Sequence, residues 1–211
     1  MSGALRIDVY HDTACPWCRI GKRHLRLALE DWPGEPVTVR YHAFFLNPDI
    51  PPQGYDFREY MTAKGGGRVP LEAWFDGPRR AGAAAGLTFS FDRITRAPNT
   101  LLSHRLIALT PDAQREAVMD AVYDAYFEHG QDIGDLEVLL AIAAGQQLDV
   151  PTLRRQLEGD AGQSAVLSED RQARRLGISG VPFFTLNNRL AFSGAHPPVV
   201  IREALQQAAM F

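Results

Sequence analysis

From Leu5 to Tyr10 apolar and polar residues alternate (Leu-Arg-Ile-Asp-Val-Tyr), a period of two that predicts a half-buried strand. The period then lengthens. Between Pro16 and Leu29, Ile20, Leu25 and Leu29 recur at helical spacing, with Arg19, Lys22, Arg23 and Arg26 expected mostly outward. Pro16 suits a first helical turn, where its missing N–H costs nothing. Asp31-Trp32-Pro33-Gly34 should break the helix, and Val37 to Phe44 predicts a second strand. These elements make a βαβ unit.

Strand signals then nearly vanish until residue 181. After the proline-rich turn from Pro48 to Gly54, a short helix is expected from Phe57 to Met61, ended by Gly65-Gly66-Gly67. Further helices are expected over Leu71–Ala85, Asn99–Leu109, Asp112–Glu128, Asp135–Ala144, Thr152–Leu157 and Ser164–Leu176. In the longest, Ala113, Ala117, Val118, Ala121, Val122 and Ala125 mark the expected apolar face, and Asp135 is the expected N-cap of the next. Val181–Leu186 and Arg189–Phe192, around Asn187-Asn188, form a predicted β-hairpin. Pro198 to Met210 supplies a closing helix. The order is therefore β-α-β, a helical block, and β-β-α, an α/β chain.

Composition narrows the function classes. With 211 residues and 45% hydrophobic content, the chain is long enough to bury roughly 70% of the surface its unfolded form exposes. A charged fraction of 22% and a net charge of −3 exclude intrinsic disorder and leave no basic footprint for nucleic acid. No apolar run approaches the ~20 residues a bilayer span needs, and MSGALRIDVYHD lacks the apolar stretch of a signal peptide. A soluble cytoplasmic protein is expected, with neither membrane nor nucleic acid as partner.

Two cysteines are present, Cys15 and Cys18, in Ala14-Cys15-Pro16-Trp17-Cys18 at the predicted strand-to-helix junction. A structural disulfide here would close a tiny loop and constrain the unfolded chain little. Three readings remain: a redox dithiol, half of a zinc site, or buried thiols without chemistry. A structural zinc site wants four ligands, and the six histidines (His11, His24, His42, His104, His129 and His196) are scattered. A sulfur at a helix N-terminus meets unpaired N–H groups and the positive end of the helix dipole, which favour the thiolate. Cys15 should thus ionise more readily than an ordinary thiol. A more stable thiolate attacks hardly faster but departs more easily, which makes the disulfide more oxidising.

The element order, with Cys-x-x-Cys at a helix start and a proline opening the third strand, resembles a thioredoxin-like domain. Its large helical insertion resembles the DsbA-like branch. Cys15-Pro16-Trp17-Cys18 followed by Ile20-Gly21-Lys22-Arg23, Asn99-Thr100 with His104-Arg105-Leu106, and Gly177-Ile178 leading to Gly180-Val181-Pro182-Phe183-Phe184 resemble FrnE-type members, cytoplasmic relatives of DsbA. The resemblance implies a thioredoxin-like domain from residues 1–50 and 177–211 and a helical insertion over 51–176. It implies Cys15 as the exposed nucleophile and Cys18 as the buried resolving thiol. Pro182 would be cis against the disulfide, and Val181 would offer its backbone N–H and C=O to an extended substrate. Trp17, between the cysteines, either contacts substrate or merely covers the motif.

The reading that follows is a thiol–disulfide oxidoreductase acting through a mixed disulfide on protein or small-molecule thiols. No resident cofactor or metal is expected beyond the Cys15–Cys18 disulfide, with glutathione a candidate co-substrate. Some FrnE-type members carry a further cysteine pair; this sequence has none, which argues against an internal relay. Two alternatives stand beside it. One is a glutathione-dependent isomerase or transferase on a small aromatic metabolite, since 2-hydroxychromene-2-carboxylate isomerases resemble the helical block but carry serine at the first motif position. The other is a non-catalytic thioredoxin-fold binding module. Asn99, Thr100, His104 and Arg105 either face the site or form a helix cap and surface. Asp12 and His11 either tune the motif or belong to a loop surface.

Overall fold

The computed structural model describes residues 5–30, 32–66 and 70–210; Asp31 and Gly67, parts of two expected helix breaks, lie outside them. The chain divides into two compact units. Unit 1 comprises Met1–Leu46 and Glu169–Phe211, and unit 2 comprises Asn47–Ser168. These borders differ from the 50 and 176 expected from the sequence, because the C-terminal half of one helix, from Glu169 onward, belongs with the first unit.

Unit 1 holds β1 (Leu5–His11), α1 (Pro16–Glu30), β2 (Val37–Ala43), the end of α8 (Gln163–Arg175), β5 (Phe183–Leu186), β6 (Leu190–Ser193) and α9 (Pro198–Ala209). Its sheet runs β2-β1-β5-β6, with β1 parallel to β2 and antiparallel to β5, and β5 antiparallel to β6. Leu5, Ile7 and Val9 project from one face of β1 and bury against Leu25 and Ala28 of α1 and Ile201, Leu205 and Ala208 of α9. Each fully buried side chain of this kind contributes about 1.5–3 kcal/mol.

The sequence predicted a half-buried β1, yet Asp8 and Tyr10 on its other face are buried as well. Tyr10 joins Phe44, Ala173 and Ile178 in a second small core. The end of α8 supplies that cover. Glu169 and Asp170 accept hydrogen bonds from the Ala43 and Phe45 N–H groups at 2.8 and 2.9 Å, and Arg174 donates to the Phe45 carbonyl at 2.6 Å.

The hairpin turns as its sequence requires. Asn187 and Asn188 both take positive φ (50° and 54°), and Arg189 N–H donates to the Leu186 carbonyl at 3.0 Å. Asparagine tolerates this left-handed conformation better than most residues. Asn187 also exchanges hydrogen bonds with the Arg6 backbone, fixing the turn to the start of β1.

Unit 2 holds α2 (Phe57–Lys64), α3 (Leu71–Ala84), α4 (Leu101–Leu109), α5 (Asp112–Phe127), α6 (Leu136–Gly145), α7 (Val150–Glu158) and the first part of α8. Two short strands, β3 (Tyr55–Asp56) and β4 (Arg96–Ala97), pair within it. Asp135 caps α6, accepting from the Glu137 and Val138 N–H groups. Rings stack through its core: Phe91 lies 4.4 Å from Phe75 and 5.4 Å from Phe89, centroid to centroid. The apolar face expected for α5 needs correction. Val118, Val122 and Ala125 are buried as expected, but Ala113 and Ala117 are exposed, and Met119, Tyr123, Tyr126 and Phe127 complete the buried face. Alanine buries too little area to decide an orientation against methionine and aromatic rings. Among the described residues no helix is long and apolar enough to cross a membrane.

Candidate functional site: the Cys15–Cys18 pair

β1 ends at His11, and after four intervening residues Pro16 begins α1. Asp12 shapes the connection. Its carboxylate accepts hydrogen bonds from Ala14 N–H at 3.0 Å and Leu46 N–H at 2.7 Å, and its own N–H approaches Cys18 Sγ at 3.5 Å. Asp12 is 1% exposed and His11 is buried with its ring edge against Tyr41, so the loop-surface reading of both is overturned. A carboxylate accepting two backbone N–H groups orders the loop that carries the cysteines.

Cys15 therefore sits at the N-terminal mouth of α1, its carbonyl accepting from the Cys18 and Arg19 N–H groups at 3.1 and 3.3 Å. Both cysteines are free thiols. Cys15 is 3% exposed and Cys18 2%, so the expected contrast between an exposed and a buried sulfur is absent. One cause is plain: Cys15 Sγ faces the Val181 carbonyl at 3.7 Å, packed under the segment that opens β5. The Val181–Pro182 peptide bond is cis. Pro182 is buried, and its carbonyl accepts from Gly194 N–H at 2.8 Å. Trp17 is 40% exposed.

Gly21, one turn beyond Cys18, makes this arrangement possible. A Cβ there would stand 2.9 Å from Pro182 Cγ and 3.3 Å from the Phe184 ring, so only glycine lets α1 approach the 182 segment this closely. Sequence inspection missed it, although its place in Ile20-Gly21-Lys22 was a signal: a glycine inside a helix usually has a packing reason.

The two sulfurs are electrostatically unequal. Burial pushes the Cys18 thiol well above its ordinary range, and a hydrogen bond to Cys15 together with that sulfur's charge pushes it further. The Asp12 N–H works weakly in the other direction. Cys18 thus holds its proton, with a hydrogen bond to Cys15.

The basic residues of α1 do not lie as expected. Arg19 and Lys22 are each 5% exposed rather than outward, with the Lys22 ammonium 5.9 Å from the centre of the Tyr41 ring. Their aliphatic stems give such side chains an apolar body to bury. Of the phenylalanines flanking the motif, Phe44, Phe45 and Phe184 are buried core, while Phe183 is half-buried.

Asn99, Thr100, His104 and Arg105 belong to unit 2, where two of them tie its loops together. The Asn99 amide donates to the Ile50 carbonyl at 2.6 Å while its oxygen accepts from Leu101 N–H at 3.0 Å. Arg105 donates to the carbonyls of Ala161, Gln156 and Gly159 at 2.7–2.8 Å, and burial lowers its pKa against the charge of Asp160. Thr100, His104 and Arg105 are buried, so the surface reading fails for them. Among the described residues no group of three or more His, Cys, Asp or Glu is arranged to hold a metal ion.

Comparison with solved structures extends the picture. The chain is 33% identical to a probable DsbA oxidoreductase of Streptomyces coelicolor, with a TM-score of 0.87 over 97% of this chain and 89% of that one. It shares its fold with a 2-hydroxychromene-2-carboxylate isomerase at 18% identity, with a TM-score of 0.71 over 96% and 95% of the two chains. It does so also with the cytosolic disulfide reductase DsbM of Pseudomonas aeruginosa, solved with GSH. That identity is 21% and the TM-score 0.66, over 98% and 100% of the chains. Residues 6–206 match the family model of the DSBA-like thioredoxin domain, and the chain belongs to that family.

Proposed function

We propose that the protein is a thiol–disulfide oxidoreductase that cycles Cys15 and Cys18 between dithiol and disulfide through a mixed disulfide on Cys15. One observation carries this reading: two free thiols, Cys15 and Cys18, at the mouth of α1, with Cys15 Sγ facing the Val181 carbonyl at 3.7 Å. In the reducing direction the Cys15 thiolate attacks a substrate disulfide, and one substrate sulfur leaves and takes a proton. Cys18 then loses its proton and attacks Cys15 Sγ, the second substrate thiol departs, and the pair becomes the disulfide. Two electrons and two protons have passed to substrate; the oxidising direction is the reverse.

The causes that hold the Cys18 proton suit this order. Once Cys15 is bonded to substrate, its charge is gone and two of the influences raising Cys18 fall away, while burial and the Asp12 charge still raise it and the Asp12 N–H still lowers it. Cys18 then holds its proton less firmly at the step that needs its thiolate. The Val181 carbonyl lies against Cys15 and Pro182 against Gly21; with exposed Trp17 of the first turn of α1, they form the proposed contact surface for an extended thiol substrate. The solved reductase with GSH supports glutathione as the small-thiol partner that resets the pair, and a cytoplasmic setting.

The test is reduction of insulin disulfides by the protein with glutathione as electron source. Wild type is expected to be active, Cys15→Ser inactive, and Cys18→Ser to accumulate adducts through Cys15 that mass spectrometry detects. Retained activity in Cys15→Ser refutes the reading. The fold shared with an isomerase supports a second reading, glutathione-dependent isomerisation of a small aromatic metabolite. That activity would survive Cys18→Ser, whereas disulfide reduction would not.

A further inference from the structure

The sheet face turned away from α1 and α9 is only partly covered. Two transverse rows of the ladder reach it: Arg40, Asp8, Thr185 and Ala191 in one, and His42, Tyr10 and Phe183 in the next. The end of α8 closes over the exit of β2, and beside it a cleft of about 650 Å³ stays open, lined wholly by unit 1. That volume lies within the range of small-molecule sites.

Side-chain size gives the cleft its depth. Thr185 and Ala191 are small neighbours in their row, while in the next row half-buried Phe183 is set edge to face with the buried Tyr10 ring at 6.3 Å. Ile178 is buried in the wall, and Leu176, at 63% exposure, stands on the lip. Leu176 thus offers a large apolar surface beside the hollow.

Charge in the cleft is uneven. Arg6, Arg40 and Arg189 line it against Asp8 and Glu169. The carboxylates are engaged within the wall: Asp8 faces His42 Nε2 and accepts from Arg6 Nε, both at 2.9 Å. Glu169 accepts from Ala43 N–H at 2.8 Å through one oxygen, and the other lies 3.6 Å from His42 Nδ1. All four carboxylate oxygens thus have a donor beside them. Arg40 and Arg189 are exposed on the rim, and their planar forks suit an incoming carboxylate.

We propose that this cleft is a second binding site, distinct from the cysteine pair, for a small organic anion with a flat aromatic body. The ring packs on Phe183 and Leu176, and the acid group meets the guanidinium rim. The experiment is an amide NMR titration of the full-length protein with 2-naphthoate, and with 2-naphthylmethylammonium as the cationic counterpart. Naphthoate is expected to give saturable shifts in β1, β2 and the β5–β6 turn with a dissociation constant at or below about 1 mM. The ammonium compound should bind at least about 5-fold more weakly. Arg40→Gln combined with Arg189→Gln should weaken naphthoate at least about 5-fold, and Ala191→Trp, at an exposed position, should fill the hollow and remove the shifts. Disulfide exchange should be unaltered in both variants. Absence of saturable shifts, shifts centred on Cys15 and Trp17, or equal binding of the cation each overturns the proposal.

Discussion

At the scale of single residues, Gly21 and Cys18 make the sharpest predictions. A methyl group at position 21 would meet Pro182 Cγ at 2.9 Å, so Gly21→Ala must push apart the two segments that bracket Cys15. Overpacking of this kind costs about 1–3 kcal/mol. A urea unfolding midpoint unchanged in that variant would show that the contact is not tight. Cys18, 2% exposed, should resist alkylation in folded Cys15→Ser, because burial shields it even without its partner sulfur. Quantitative iodoacetamide labelling of intact Cys15→Ser at neutral pH would contradict that assignment. Several residue roles were not legible in the sequence for a common reason. Asp12, Arg19 and Arg105 are residue types usually found in water, and only the fold shows the backbone groups that Asp12 and Arg105 satisfy.

Elements with strong periodicity were readable, and those without it were not. β1, α1 and β2 emerge within a residue or two of their observed ends, because alternation and helical spacing are both clear there. β3 and β4 have two residues each, too few to show any period. The α5 face was only partly legible: Val118, Val122 and Ala125 are buried, but Ala113 and Ala117 were included in it while Met119 and Tyr123 were left out. Asp135 was legible as a cap, and Asp135→Ala should cost unit 2 about 1 kcal/mol by thermal or urea unfolding. His42 joins elements across unit 1. Burial lowers its affinity for a proton, but hydrogen bonds and charges from Glu169 and Asp8 outweigh that and leave its pKa raised. A raised folded-state pKa means the stabilisation is fully present below the ordinary histidine range and is lost as pH rises through the raised value. Replacing His42 by glutamine should therefore destabilise the protein by about 1–2 kcal/mol more at pH 5.5 than at pH 8.5. An equal loss at both pH values would contradict the charged pairing.

For the whole molecule, the discontinuous order of elements was the most informative feature of the sequence. A β-α-β start and a β-β-α finish pair in one sheet although more than half the chain separates them. The separating unit has its own core, and truncating Phe91 within it should cost about 3–5 kcal/mol, seen as a lowered unfolding midpoint. The cleft on the open sheet face was invisible in the sequence, since it needs the register of four strands and the end of α8 together. The central claim concerns the two sulfurs at the mouth of α1, and their equilibrium in glutathione redox buffers tests it most directly. The account predicts one reversible two-electron transition forming the Cys15–Cys18 disulfide, at a potential above the roughly −270 mV of thioredoxin. Failure to form that bond at any glutathione ratio, or a stable glutathione adduct on Cys15 that Cys18 never displaces, would contradict it.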